Sequence, residues 1–153
     1  MDENKKYDIF VSYSSKDAEF LVENILPGLE EIENPYRTLV HQRDFLAGGY
    51  IKDVIVRAID ESRRTMVLLS ENFVQSELCC FEFKMAHAKM LEDKCKRVVL
   101  VVMDKIPENI NSDIKSYIRT NNYLIWKEPK FWKKLRSSLP DKSIKRLADL
   151  TDC

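Results

Sequence analysis

Glycine is scarce in this chain of 153 residues, where Gly28, Gly48 and Gly49 are the only three. They form neither the GxGxxG turn that lets a backbone approach a pyrophosphate nor the GxxxxGK loop that cradles phosphates, so the usual nucleotide-binding loops are excluded. Long apolar runs are also missing. The longest, such as Val98 to Met103, fall far short of the roughly 20 residues that span a bilayer, so this stretch is not expected to cross a membrane. Neither sign of charge is in excess: Lys plus Arg and Asp plus Glu number 25 each. No net field is left to draw nucleic acid or an acidic membrane surface. The four cysteines, Cys79, Cys80, Cys95 and Cys153, contain no CxxC pair. Cys79 and Cys80 are adjacent and poorly placed to bridge each other, and reduced thiols are the expected state. Cys79, Cys80, His87 and Cys95 match no familiar zinc spacing, so neither a metal nor a cofactor is expected. With His41 in a strand pattern and His87 on a helix pattern, a Ser-His-Asp assembly has no basis either.

What is present is apolar pattern. Hydrophobic residues make up 44% of the chain and charged residues 33%, enough apolar surface to offset chain entropy in a single soluble, globular domain. Strand signals recur at Tyr7 to Ser12, Thr38 to His41, Thr65 to Ser70, Val98 to Met103 and Tyr123 to Trp126. The third and fourth contain continuous apolar blocks, the mark of parallel strands covered on both faces, and should form the centre of a sheet. Helical spacing separates the strands. Phe20, Leu21, Ile25, Leu29 and Ile32 give one helix, disturbed near Pro27-Gly28, and Ile51, Val54, Ile55, Ala58 and Ile59 give another. Phe73, Val74, Leu78, Phe81, Met85, Ala88 and Leu91 predict a single long helix capped by Ser70 or Asn72. Pro107 to Ile118 is a weaker helix with Pro107 in its first turn, and Phe131, Leu135 and Leu139 make the last, ended by Pro140.

Right-handed crossovers joining five parallel strands predict an α/β fold, a flavodoxin-like doubly wound sheet of order 2-1-3-4-5 with helices on both faces. Partners then gather beyond the carboxyl ends of the strands, where the loops after Ser12 and at Arg43 to Tyr50 fall. The expected division is an extension over residues 1–6, a domain over 7–140 and a loosely held tail over 141–153. The extension has no apolar core of a signal peptide, which suits a cytoplasmic protein or a piece of a longer one.

Three short stretches carry a family resemblance. Tyr7-Asp8-Ile9-Phe10-Val11-Ser12-Tyr13-Ser14, Arg43-Asp44-Phe45-Leu46-Ala47-Gly48 and Phe131-Trp132 resemble, in order, the three boxes of the Toll/interleukin-1 receptor (TIR) domain. Ser62-Arg63-Arg64-Thr65, Leu69-Ser70-Glu71-Asn72-Phe73 and Ser76-Glu77 are similar to Toll-like receptors more than to bacterial or plant TIR proteins. Ala47 stands where vertebrate receptors commonly carry Pro, and Gly48-Gly49 resembles invertebrate Toll receptors. Leu78 stands where many receptors have Trp. The resemblance implies the cytoplasmic signalling module of a single-pass innate immune receptor. Such a module pairs weakly with the TIR domain of a second receptor chain and recruits cytosolic TIR adaptors. A free cytosolic adaptor is the alternative that sequence upstream of Met1 decides.

The partner-binding residues implied are Arg43, Asp44, Phe45, Leu46, Ala47, Gly48, Gly49 and Tyr50, with Cys79 and Glu82 on the helix that follows. Leu46 and Ala47 read as an apolar tip facing a partner, with Arg43 and Asp44 supplying charge register. Phe45 is equally consistent with folding back into the core. Tyr7, Asp8, Phe10, Ser12, Phe131 and Trp132 read as structural members of their boxes, because strand alternation and aromatic anchoring account for them. Lys127, Lys130, Lys133, Lys134 and Arg136 read as a solvated helix face, with an anionic inner leaflet as the other reading. Some TIR domains cleave NAD with a Glu on the helix that carries Glu82, where a carboxylate stabilises the cationic transition state. Here Glu82 is expected to be a solvated surface charge, and catalysis is the minority reading.

Overall fold

The apolar blocks at 66–69 and 98–102 lie side by side at the centre of a parallel sheet. The computed structural model describes residues 5–40, 51–95 and 97–140. Its strands are β1 (Tyr7–Ser12), β2 (Thr38–Val40), β3 (Ser62–Leu69), β4 (Val98–Val102) and β5 (Leu124–Ile125), hydrogen-bonded in the order β2-β1-β3-β4-β5. Every pairing is parallel. This is the doubly wound, flavodoxin-like arrangement that the alternating pattern predicts.

Strand alternation divides the interior into two cores. Phe10, Val67, Leu69, Leu100 and Val102 point to one face, which is covered by α2 (Ile51–Asp60), α3 (Glu71–Val74), α4 (Glu77–Asp93) and α5 (Ser112–Thr120). Ile9, Val11, Met66, Leu68, Val99 and Val101 point to the other, under α1 (residues 18–30) and α6 (Phe131–Ser138). All eight residues of β3 are buried, including polar Ser62, Arg63, Arg64 and Thr65. Apolar pattern alone therefore placed the start of this strand too late.

Helix boundaries move for identifiable reasons. In α1 the Leu26 N–H reaches back five residues to the Leu21 carbonyl, giving a π-helical turn over Leu21–Ile25. Pro27, which follows, has no N–H to give. The helix stops at Glu30, so Ile32 lies beyond it. Gly28 is required where it stands, since a Cβ there would lie 2.2 Å from the Trp132 ring. The long helix expected from Phe73 to Leu91 is two. Ser70 Oγ accepts from the Phe73 N–H at 3.1 Å to cap α3, and Ser76 Oγ accepts from the Cys79 N–H at 3.2 Å to start α4 afresh. Asn111 Oδ1, not Pro107, opens α5 by accepting from the Ile114 N–H at 2.9 Å.

Candidate functional site

Residues 7 to 12 form a strand whose last member, Ser12, sits beside Val67 of β3, so the chain leaves β1 at the carboxyl edge of the sheet. Ser14 then turns it. Ser14 Oγ accepts from the Lys16 N–H at 3.3 Å, which directs the following turn into α1 and carries Asp17 back over the edge. Asp17 is only 6% exposed and takes two side-chain hydrogen bonds from beyond β3. Asn72 Nδ2 donates to it at 2.8 Å, and Ser70 Oγ donates to its other oxygen. The start of α1 and the start of α3 are thus tied together by one buried carboxylate.

A second carboxylate lies deeper. Glu82, on α4, is completely buried, and its Oε1 accepts from Ser12 Oγ at 2.7 Å. The solvated surface charge expected at this position is therefore corrected to an interior one, because the face of α4 carrying Glu82 turns toward the end of β1. Cys79, one turn earlier, is also buried at 3% exposure. Burial pushes its thiol up to about 12, with the charges of Glu82, Cys80 and Asp17 adding to the effect and a Ser76 hydrogen bond opposing it. It is a neutral thiol at pH 7, not a nucleophile. Cys80 is half-buried and its thiol is also raised, chiefly by burial.

Arg43, Asp44, Phe45, Leu46, Ala47, Gly48, Gly49 and Tyr50 lie outside the described residues. Their flanks are Val40, which is the carboxyl end of β2, and the start of α2. Cys79 and Glu82 are brought to the same sheet edge but face inward, so α4 meets its surroundings through Leu78, Cys80 and Phe81, all half-buried, and through exposed Glu77 and Lys84. Lys52 of α2 lies 5.1 Å from the Phe81 ring centroid, joining the outer surfaces of these two helices.

Among the box residues, Phe10 and Ser12 are fully buried and Tyr7 is half-buried. Asp8 Oδ2 accepts from the Arg37 N–H at 2.8 Å, tying β1 to the entry of β2. Phe131 is buried and Trp132 half-buried, packed edge to face at 5.4 Å. Sequence reading missed Asp17, Ser70 and Asn72 as one network and missed the Ser12–Glu82 pair. The capping-type residues Ser70 and Asn72 are the only signal that pointed there.

A cavity of about 150 Å³ lies at the opposite, amino edge of the sheet, lined by residues that include Arg64, Tyr117 and Ser138. It has no connection to Glu82. Among the described residues no cluster of His, Cys, Asp and Glu could hold a metal ion, and no helix is long and apolar enough to cross a membrane.

Comparison with known proteins agrees with this architecture. The family model for the TIR domain matches residues 6–151. The chain is 39% identical to the protein Toll of Drosophila melanogaster over 92% of its own length, which is 13% of that protein. It is 34% identical to Toll-like receptor 2 of Macaca mulatta over 87% of its length, which is 18% of that receptor. The chain thus spans less than a fifth of either relative. In structure it is similar to the TIR domain of the Toll-related receptor TRR-2 from Hydra magnipapillata. That match has a TM-score of 0.70 and 22% identity, covering 87% of this chain and 98% of that one.

Proposed function

Because the chain belongs to the TIR-domain family, we propose that it is the signalling module of a Toll-like innate immune receptor, held on the cytoplasmic side of a membrane by a single span elsewhere in the full protein. It acts by associating with the TIR domain of a second receptor chain and with those of cytosolic adaptors. The observation that carries this reading is the 39% identity to Toll along 92% of the chain. The partner surface is assigned to Arg43 to Tyr50 together with the outer surface of α4, with Cys79 and Glu82 supporting that surface from inside. The buried network of Asp17, Ser70 and Asn72 supports it by stiffening the same sheet edge. Association of the isolated domain is weak, because tethering and receptor dimerisation supply the effective concentration. Leu46→Asp or Ala47→Asp in the full receptor is expected to reduce signalling at least about ten-fold with unchanged folded-state stability, equivalent to roughly 1.4 kcal/mol of lost contact. Undiminished signalling removes the loop from the mechanism.

A second reading rests on a specific observation: Glu82 is a buried carboxylate at the sheet edge where doubly wound folds collect ligands. On this reading the domain hydrolyses NAD at the nicotinamide–ribose bond with Glu82 stabilising the developing cation. Concentrated protein incubated with NAD is then expected to release nicotinamide, and a Glu82→Ala control is not. Equal release from both, or none from either, ends it.

A further inference from the structure

The edge strand β5 is very short, and its shortness opens a site at the end of the sheet away from Glu82. Leu124 and Ile125 pair with Val101 and Val102, so Val98, Val99 and Leu100, which begin β4, have no β5 residue opposite them. The cavity of about 150 Å³ lies in that gap. Tyr117, reaching down from α5, closes part of it, because its hydroxyl donates to the Val98 carbonyl at 3.0 Å where a longer β5 would have paired. The rest stays open.

Arg64, Val98, Leu100 and Tyr117 are buried at the floor of the cavity, whereas Asn122 and Ser138 are exposed at its mouth. Arg64 is the group that gives the floor its character. Only 4% exposed, it donates from Nε to the Ser138 carbonyl at 3.3 Å and from Nη1 to the Arg63 carbonyl at 3.1 Å. These bonds fix the orientation of a planar fork that carries five N–H donors and serves several acceptors at once. Among the described residues that line the cavity there is no Asp or Glu. Burial pushes the Tyr117 hydroxyl up to about 12, so it carries no charge at neutral pH. The last carbonyls of α6 present about half a negative charge, which is less than the full positive charge of the guanidinium. The floor is therefore positive at one point and apolar around it.

We propose that this cavity binds a small organic monocarboxylate, with the carboxylate on the Arg64 guanidinium and an apolar body against Val98, Leu100 and Leu124. The size agrees, since a cavity of about 150 Å³ admits one benzene-sized ring. The chemistry agrees too. The paired oxygens of a carboxylate match the guanidinium fork, and burial of an apolar body against the β4 and β5 side chains adds to the attraction. Inorganic phosphate meets the charge but leaves the apolar wall unfilled. Doubly wound folds collect ligands beyond the carboxyl ends of their strands, whereas this site lies at the amino ends. It is thus independent of both readings above, and its occupant touches β4, β5 and the end of α6 together.

The test is titration of the nitrogen-15-labelled 153-residue chain with sodium benzoate, followed through its amide shifts by two-dimensional NMR. Saturable shifts are expected at Val98, Leu100, Leu124 and Ser138, with a Kd on the order of 1 mM, as suits so small a ligand. Benzamide, which has the same shape without the charge, is expected to bind at least about ten-fold more weakly, because charge-assisted hydrogen bonds are the stronger kind. Inorganic phosphate is expected to be weaker by a similar factor of about ten, having no apolar body to bury. Arg64→Met is expected to abolish the benzoate shifts with circular dichroism unchanged. Should that variant fail to fold, Ser138→Trp blocks the exposed mouth while keeping Arg64, and is expected to weaken benzoate binding at least about ten-fold. The proposal is overturned by the absence of saturable shifts, by shifts confined to residues outside the cavity, or by a folded variant that binds benzoate unchanged. Benzamide or phosphate binding as tightly as benzoate overturns it as well. Leu46, Ala47 and Glu82 are untouched throughout, so these outcomes are separate from signalling and from nicotinamide release.

Discussion

Replacing Phe83 by alanine is expected to lower the stability of the domain by about 3 to 5 kcal/mol, the range for emptying a large aromatic site that cannot collapse. Phe83 is completely buried, one residue beyond Glu82, on the inner face of α4. It meets the Tyr117 ring edge to face at 5.8 Å and His87 at 5.7 Å, so it joins α4 to α5 above the sheet. Tyr117 is itself fixed, since its hydroxyl donates to the Val98 carbonyl at 3.0 Å and burial pushes its ionisation up to about 12. With one wall anchored to β4 and another built from α4 backbone, little can move into the vacated space. Thermal unfolding is expected to fall by roughly 10 °C, given about 2 to 4 °C per kcal/mol at this chain length. A loss below about 1 kcal/mol in denaturant titration would show that the site collapses and that α4 is not held in this way.

The second large effect is expected at the buried pair Ser12 and Glu82. Ser12→Ala removes a donor from an interior carboxylate while leaving that carboxylate in place, and a hydrogen bond to a charged group contributes about 1.5 to 3 kcal/mol. Glu82→Gln retains the shape and leaves an acceptor for the Ser12 hydroxyl. The double variant closes a cycle in which the two losses are expected not to add, with a coupling of about 0.5 to 3 kcal/mol. Chemical denaturation of the four proteins measures it. Additive losses would mean that the 2.7 Å contact contributes nothing beyond burial. The cycle reads stability, so its outcome stands apart from whether nicotinamide is released.

Much of the fold is legible in local pattern. Val98 to Val102 and Met66 to Leu69 are apolar without interruption because both faces of a central parallel strand are covered, and the structure places them there. The short β5 needs only Leu124 and Ile125 to close one edge of the sheet. Where the reading faltered, short-range chemistry had been outvoted. Ser62, Arg63 and Arg64 carry no apolar signal, yet they are buried as the first part of β3, with Arg64 Nε donating to the Ser138 carbonyl at 3.3 Å across the fold. The apolar spacing from Phe73 to Leu91 runs across a real helix break, because Ser70 and Ser76 each cap a separate helix. Periodicity cannot register such a break.

The candidate site was far less legible than the fold that carries it. Ser12 and Glu82 are 70 residues apart, and Asp17 and Asn72 are 55 apart. Nothing in the neighbourhood of either member announces its partner, and a Glu in a helix of mixed polarity reads as a surface charge until the helix face is known. Sequence by itself determined the order of strands and helices and the family, since these rest on apolar period and contiguous short motifs. Tertiary structure alone decided that Glu82 and Cys79 face inward and that Asp17 ties two helix starts together. The physical reason is the same in each case: burial and long-range hydrogen bonds are properties of packed faces, and a face is defined only when distant elements meet.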